Sequence, residues 1–261
     1  MIFFRNILCI SYIFSLIVFA LGRHSVKIIE GGDADIRDFP YMAALTEVGR
    51  VISCGAAIIN ENTLLTAAHC LLDEKLSWIT IKYGSTIFQE GIETNVSQAY
   101  IHKNFKNTTP PMTDDIAVLK VDPPIVFSET VQPIKLPQKN VPNPAGKLAK
   151  FAGWGKTNDT YYVQSNILQK VDMTIIDDKT CEEIWKNTTN PVDTEKEICA
   201  QADMSDGKRR GPCYGDSGSP LVIDGVQYGI ISSFHDGCGI AEYPIVYTRV
   251  AHYLDWLSDK I

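Results

Sequence analysis

The chain has little of three features that mark membrane, helical or nucleic-acid-binding proteins. Its one long apolar run lies between Ile7 and Leu21, and about 15 residues are fewer than the roughly 20 of a membrane-spanning helix. Apolar residues at helical spacing are scarce. Acidic residues outnumber basic ones, 31 to 24, which gives a net charge of −7. This charge disfavours nucleic acid and anionic membrane as partners, so we expect neither.

The spacings typical of metal sites are also missing. The chain has no Cys-x-x-Cys and no His-x-x-x-His pair, the patterns that place zinc ligands together. A calcium loop after Tyr83-Gly84 would need an early carboxylate, and Ser85-Thr86-Ile87-Phe88 supplies none. We therefore expect no metal and no cofactor.

The first residues have the pattern of a secretory signal peptide, with an uncleaved anchor as the alternative. Arg5 precedes the apolar run, and Ala20-Leu21-Gly22 ends it with small residues, which predicts a signal over residues 1–22. Of seven cysteines, only Cys9 lies inside it. Six cysteines in an exported chain indicate disulfides. Four sequons are candidate glycosylation sites: Asn95, Asn107, Asn158 and Asn187.

Short β-rich runs separated by turn residues make up most of the rest. Asp224-Gly225 between two such runs is a strong hairpin signal. Many short strands indicate an all-β sandwich or barrel. Helices are expected only at Asp177–Lys186 and Val250–Asp259. The strand candidates are Ala56–Ile59, Leu64–Ala67, Trp78–Tyr83, Ile116–Val121, Lys150–Ala152, Pro220–Ile223 and Val226–Ile231.

Three separated motifs supply the groups that turn a hydroxyl into a nucleophile. His69 follows Thr66-Ala67-Ala68, Asp115 precedes an apolar strand, and Ser217 lies in Gly-Asp-Ser-Gly. A serine attacks an acyl carbon only when a base takes its proton and a third group orients that base. An α/β-hydrolase is excluded because its triad follows the order Ser, Asp, His, and because Ser219 occupies the second glycine position of its nucleophile motif.

With Ile28-Ile29-Glu30-Gly31-Gly32, these motifs resemble the chymotrypsin-like (S1) serine endopeptidases from about Ile28 to the C-terminus. The resemblance implies an all-β fold of two packed six-stranded antiparallel β-barrels with a C-terminal α-helix. The N-terminal barrel would span about 28–122, a linker about 123–137, and the C-terminal barrel and helix about 138–261. It also implies the disulfides Cys54–Cys70, Cys181–Cys199 and Cys213–Cys238.

The resemblance assigns a role to each group of the site. Ser217 would be the nucleophile, His69 the general base and Asp115 the residue that orients it. The N–H groups of Gly215 and Ser217 would form the oxyanion hole. Asp114 competes with Asp115 for the third position, and we prefer Asp115 because it directly precedes the strand.

The resemblance also implies an activation switch. Residues 23–27 would be an activation peptide cut after Lys27 by a protease that prefers Lys or Arg. The freed ammonium of Ile28 would then pair with Asp216. Because a buried carboxylate is costly without a partner, we expect Asp216 to stay outside until that cut.

The substrate pocket departs from the family pattern. Gly211 lies at the floor, where trypsin-like members carry an Asp, so a buried Lys or Arg would be unpaired. Phe234 and Ile245 would replace the two wall glycines, which favours small aliphatic residues before the cut. The pocket prediction comprises Gly211, Tyr214, Ser232, Ser233, Phe234 and Ile245.

These features together predict a secreted, monomeric serine endopeptidase of the zymogen type. Its partners would be a protein or peptide substrate, the activating protease and protein inhibitors. The alternative is a poorly catalytic secreted binding or decoy protein on the same scaffold.

Overall fold

The computed structural model describes residues 31–47, 51–72, 75–106, 112–157, 163–235 and 237–261. The predicted signal peptide and activation peptide, Ile28, Asn107 and Asn158 lie outside these residues. None of the helices in the described part of the chain has the length and apolar character needed to cross a membrane.

The first half of the described chain closes into an antiparallel barrel of six strands. Its strands neighbour one another in the order β2-β3-β4-β7-β6-β5, and β5 pairs with β2 to close the ring. A closed barrel leaves no strand edge unpaired. The strands are β2 (Met42–Glu47), β3 (Val51–Asn60), β4 (Thr63–Thr66), β5 (Ile79–Tyr83), β6 (Ile92–Ile101) and β7 (Ala117–Asp122).

The second half forms another six-stranded antiparallel ring, in the order β8-β9-β10-β13-β12-β11, with β11 pairing back to β8. A short strand, β1 (Gly32–Asp33), adds to β9 outside the ring. The fold predicted by the resemblance is therefore confirmed. The strands are β8 (Leu148–Gly153), β9 (Gln169–Ile175), β10 (Glu197–Ala202), β11 (Pro220–Ile223), β12 (Val226–Ser233) and β13 (Ile245–Arg249).

Alternation of buried and exposed residues explains why these segments form strands. Along β9 the side chains are buried and exposed in strict turn, as expected where one face packs on a core and the other meets solvent. The predicted hairpin joins β11 to β12 through Asp224 and Gly225, at φ +50° and +76°. Positive φ at both positions suits the right-handed twist of paired strands.

Both predicted helices exist, but one is partly 3₁₀. Helix α1 (Asp178–Trp185) begins after Asp177, whose carboxylate accepts the N–H of Thr180 at 2.9 Å and caps the helix. The C-terminal segment begins as a 3₁₀ turn and continues as α2 (Leu254–Ser258). The other 3₁₀ segments are Ile36–Asp38, Ala68–Leu71, Leu76–Trp78 and Phe88–Glu90.

The N-terminal end of the described chain packs on the second barrel, and the C-terminal end packs on the first barrel. At the N-terminal end, β1 pairs with the second barrel, and the Ala34 N–H donates to the Leu168 carbonyl at 2.8 Å. At the other end, Val250, Tyr253 and Leu257 belong to the first barrel's apolar core. Both ends of the described chain therefore connect the two barrels.

Disulfides connect the three cysteine pairs that the resemblance implies: Cys54–Cys70, Cys181–Cys199 and Cys213–Cys238. The first joins β3 to the 3₁₀ turn that carries His69. The third joins the turn before Ser217 to the loop after β12. Each closes a loop of about 16 to 25 residues, which stabilises the fold by on the order of 3 kcal/mol in the chain-entropy model.

Candidate active site

Asp115 is the centre of a hydrogen-bond network between the barrels. Its side chain is fully buried in the loop before β7. One carboxylate oxygen, Oδ2, accepts from His69 Nδ1 at 2.7 Å and from Ser232 Oγ at 2.6 Å, while Oδ1 accepts from the His69 backbone N–H at 2.9 Å. Thr248 Oγ1 also donates to the Asp115 carbonyl at 2.8 Å. The carboxylate is thus fixed by both barrels.

His69 lies in the 3₁₀ turn after β4, next to the Cys54–Cys70 disulfide. Its Nδ1 bonds Asp115, its Nε2 lies 3.8 Å from Cys70 Sγ, and the residue lines the cleft between the barrels. Burial disfavours the imidazolium, but the charge and the hydrogen bond of Asp115 together raise the pKa of His69 above its usual value. This ring is therefore held in one orientation and is more basic than a free histidine.

Asp114 is directed away from this network. Its carboxylate accepts from Lys196 Nζ at 3.0 Å and from Tyr253 OH at 3.3 Å. The carboxylate that contacts His69 is therefore that of Asp115, the residue preferred on sequence.

Ser217 lies in a tight turn between Cys213 and β11. The turn depends on Gly218, at φ +83°, where an added Cβ would lie 2.5 Å from the Gly55 carbonyl oxygen and 2.3 Å from Thr66 Oγ1. The Gly55 N–H donates to the Ser217 carbonyl at 2.7 Å. A strand of the first barrel therefore sets the position of a serine in the second.

Ser217, Gly215 and His69 line one cleft of about 590 Å³ between the barrels. Gly215 has φ +92°, a conformation that favours glycine. In the described part of the chain, the N–H groups of Gly215 and Ser217 donate to no protein acceptor, and Ser217 Oγ makes no hydrogen bond to His69.

The position of the Asp216 side chain differs from our expectation, which was that it stays outside the fold until the cut after Lys27. It is fully buried, and its carboxylate accepts the N–H groups of Gly155 at 2.8 Å and Cys213 at 2.9 Å. A Cβ on Gly153 or Gly155 would overlap this carboxylate, so both glycines make room for it. Burial raises the pKa of Asp216 to about 7. Among the described residues, two backbone N–H donors hold the carboxyl inward.

Four of the six predicted pocket residues line the cleft: Tyr214, Ser232, Ser233 and Phe234. The Phe234 ring lies edge-on to Tyr214, with centroids 5.0 Å apart. Gly211 and Ile245 do not line it. Ile245 is buried in the core of the second barrel, and Phe234 packs against that same core.

One group of side chains places potential metal-binding atoms together. The donor atoms of Cys54, His69 and Cys70 lie within 4.8 Å of one another. Both sulfurs belong to a disulfide, and metal ligation by cysteine requires a thiolate. These residues do not suit a metal.

Sequence reasoning missed two residues, Gln164 and Arg209, that join segments distant in sequence. Gln164 donates to the Ile52 carbonyl and accepts the Ile52 N–H at 3.2 Å, bridging the barrels. Arg209, in the basic run Lys208-Arg209-Arg210, donates to the carbonyls of Cys238 and Gly239. These contacts join residues 29 to 112 positions apart, so no local pattern could reveal them.

A protein-family model described as "Trypsin" matches residues 28–257. The chain belongs to the trypsin family. "Serine protease 7" of Drosophila melanogaster is 32% identical over 92% of this chain and 67% of that relative. "Chymotrypsin-2" of Vespa crabro is 32% identical over 88% of this chain and 98% of the relative.

Two solved structures of the same fold carry contrasting descriptions. Neuropsin, described as a serine protease expressed in the limbic system of mouse brain, has 29% identity and a TM-score of 0.77, covering 88% of this chain and 98% of its own. The scabies mite inactivated protease paralogue S-D1 has 28% identity and a TM-score of 0.78, covering 89% and 96%. The trypsin fold therefore occurs in these neighbours with and without protease activity.

Proposed function

We propose that this trypsin-family chain is a secreted serine endopeptidase that hydrolyses peptide bonds through an acyl-enzyme. The observation that carries the proposal is the 2.7 Å bond between His69 Nδ1 and Asp115 Oδ2 in the cleft that Ser217 lines. Three disulfides fit an extracellular setting.

The arrangement supports a two-step acyl transfer. Ser217 Oγ attacks the peptide carbonyl while His69 Nε2 takes its proton, and Asp115 stabilises the resulting imidazolium. His69 then donates the proton to the leaving amine, and water attacks the ester with His69 again as base. The free N–H groups of Gly215 and Ser217 suit the oxyanion, and one such donor contributes on the order of 3 kcal/mol to the transition state.

The cleft favours small aliphatic residues before the cut bond. Gly211 brings no charge to the predicted floor, so a basic side chain would be buried unpaired. Phe234, packed against Tyr214 and the second barrel's core, takes up room that a flat aromatic side chain would need.

The chain would be exported and activated by proteolysis. Removal of residues 1–22 as a signal and a cut after Lys27 would free the Ile28 ammonium at the start of the peptidase domain, 28–261. Asp216 is a suitable acceptor because it is a buried carboxyl that contacts no cation among the described residues. The activating protease would prefer Lys or Arg, and the active enzyme would be a monomer that protein inhibitors can block.

Glycans would be added to some sequons during export. Asn95 on β6 and Asn187 after α1 are both exposed, as a glycan acceptor must be. Asn107 and Asn158 remain candidates on sequence alone.

The test is to cut the purified chain after Lys27 and expose it to a fluorophosphonate and to a peptide library varied before the scissile bond. We expect labelling and cleavage after small aliphatic residues, both abolished in Ser217→Ala. Ser219→Ala is the matched control, because Ser219 is buried in the same turn and its hydroxyl makes no hydrogen bond among the described residues. If a folded sample cut after Lys27 is neither labelled by the fluorophosphonate nor able to cleave peptides, that result would contradict the proposed endopeptidase function.

A secreted binding or decoy protein is the second candidate. Two observations favour it: the similarity to the inactivated mite paralogue, and the absence of a Ser217–His69 hydrogen bond among the described residues. A decoy would retain its protein partner in Ser217→Ala and would not react with the fluorophosphonate.

A further inference from the structure

We propose that Asp114 is a positioning residue whose contacts hold the turn that aims Asp115 at His69. The proposal rests on the endopeptidase function, and it adds a side chain that touches neither the cleft nor the reacting groups.

Asp114 has a backbone conformation that its surroundings must maintain. Its φ is +60°, in the left-handed region that non-glycine residues seldom adopt. The Ile116 N–H donates to the Asp114 carbonyl at 2.9 Å across Asp115, so the chain turns sharply around that residue. Such a conformation is strained for a residue that carries a Cβ, and it persists where side-chain contacts hold it.

Those contacts come from three separate parts of the fold. Lys196, just before β10, donates to Asp114 Oδ2 at 3.0 Å. Tyr253, in the C-terminal 3₁₀ turn, donates to Oδ1 at 3.3 Å, and Nδ1 of His102, after β6, lies 3.5 Å from the same oxygen. The Asp114 side chain is 6% exposed. The turn is therefore fixed relative to the first barrel, the second barrel and the C-terminal segment at once.

Charge makes Lys196 the most important of these contacts. Asp114 and Asp115 are adjacent buried carboxylates, and like charges so close are unfavourable without a cation. The hydrogen bond to Asp114 raises the pKa of Lys196, which keeps the ammonium charged. Burial lowers the pKa of His102, so this ring is neutral near pH 7. Lys196 therefore supplies the compensating charge.

The short bonds of Asp115 make its position sensitive to this turn. Its Oδ2 has partners at 2.7 Å and 2.6 Å, and a shift of a few tenths of an ångström would lengthen one or both. A misplaced Asp115 would leave His69 free to rotate and less basic, while substrate contacts in the cleft would stay the same. Loss of Asp114 should therefore lower kcat rather than raise KM.

The experiment compares Asp114→Ala with Asp114→Asn in the enzyme cut after Lys27. Asn tolerates positive φ and retains an acceptor oxygen. We expect Ala to lower kcat by about 10- to 100-fold with KM within about twofold, and Asn to restore most of kcat. Asp255→Ala is the matched control, because it removes a carboxylate paired with Lys139 on the exposed surface. It should leave kcat unchanged.

A second readout does not depend on turnover. Histidine ring ¹⁵N spectra of Ser217→Ala should give the pKa and tautomer of His69. We expect Asp114→Ala to lower that pKa and to broaden the signal of the proton shared with Asp115. If the wild type neither reacts with a fluorophosphonate nor cleaves peptides, the proposed endopeptidase function is wrong. These spectra alone then decide whether Asp114 positions Asp115 and His69.

Unchanged kcat and an unchanged His69 pKa in a folded Asp114→Ala would overturn the proposal. A raised KM at constant kcat would overturn it too, since that result would indicate an effect on substrate binding. If Asp114→Ala does not fold, Lys196→Met takes its place with the same readouts. It must then lower both kcat and the His69 pKa for the proposal to stand.

Discussion

Phe234 lies edge-on to Tyr214, with ring centroids 5.0 Å apart, at the rim of the cleft that His69 and Ser217 share. Tyr214 comes from the turn before Ser217, and Phe234 directly follows β12. The pair thus joins two segments around the proposed site of the residue before the cut bond. Its aromatic rings fill space that a smaller residue would leave open.

Removing the side chains of Phe234 and Ile245, the two predicted wall residues, should change which residue is accepted before the cut bond. In Phe234→Gly with Ile245→Gly, we expect cleavage after Phe and Tyr to rise relative to Ala and Val, since a flat ring could then enter. Ile245 is part of the second barrel's core, so the double variant should also be less stable. Burial of an Ile side chain contributes about 2 to 3 kcal/mol.

The peptide library measures this change as a ratio of kcat/KM values for each residue before the cut. Phe234→Gly alone separates the two positions: Phe234 lines the cleft, and Ile245 does not. We expect the single change to give most of the effect. A library profile identical to wild type in both variants would show that neither side chain limits the pocket.

Activity should depend on the ionisation of His69 with a defined sign. The base must be neutral, and Asp115 raises the pKa of His69 above its usual value. We expect kcat/KM to fall as the pH drops through this raised pKa, with an inflection above about 6.5. In Asp115→Asn the inflection should move to lower pH, and kcat should fall by up to about 10⁴-fold. An inflection at the ordinary histidine value in wild type would count against the coupling.

The features that the sequence could predict come from local motifs, and those that it could not predict depend on contacts between distant residues. The strand runs, the Asp224-Gly225 turn and the motif around Ser217 are short patterns, and the structure confirms the strands and the turn. The burial of Asp216 could not be predicted, because it depends on Gly155, 61 residues away. The packing of β1 on the second barrel joins residues still more remote in sequence, because Gly32 pairs with Lys170. Such contacts are set by the closure of the barrels, not by any local pattern.

Arg209 should act on substrate binding rather than on chemistry. Its guanidinium donates to the carbonyls of Cys238 and Gly239, and so holds the loop that follows Phe234. We expect Arg209→Leu to raise KM by about 3- to 10-fold, the effect of about one hydrogen bond, with little change in kcat.

Arg210→Leu is the control for this prediction. Arg210 bonds the Asp206 carboxylate and the Asp203 carbonyl, so its loss should change KM less than the loss of Arg209 does. Steady-state kinetics on one small-aliphatic substrate measures both. Equal effects of the two substitutions would indicate that general loop stability, rather than the contact with the pocket loop, explains the result.

The raised pKa of Asp216 predicts how stability should vary with pH. Its value of about 7 in the fold, against 3.8 for the free group, means that the folded chain binds more protons than the unfolded chain between these values. Stability should therefore fall as the pH rises from about 4 to about 7, by up to about 4 kcal/mol for this one group. Asp216→Asn cannot ionise and should lose this part of the dependence.

Cutting after Lys27 should then reduce the difference between wild type and Asp216→Asn at pH 7, because a paired ammonium favours the ionised carboxylate. Urea unfolding of the cut and uncut forms at pH 4, 5.5 and 7 measures all three effects. Asp216→Asn should stay folded after the cut but lose most activity, since a neutral amide cannot form the ion pair with the Ile28 ammonium. If the cut left the difference in unfolding free energy between wild type and Asp216→Asn at pH 7 unchanged, Ile28 would not be the partner of Asp216.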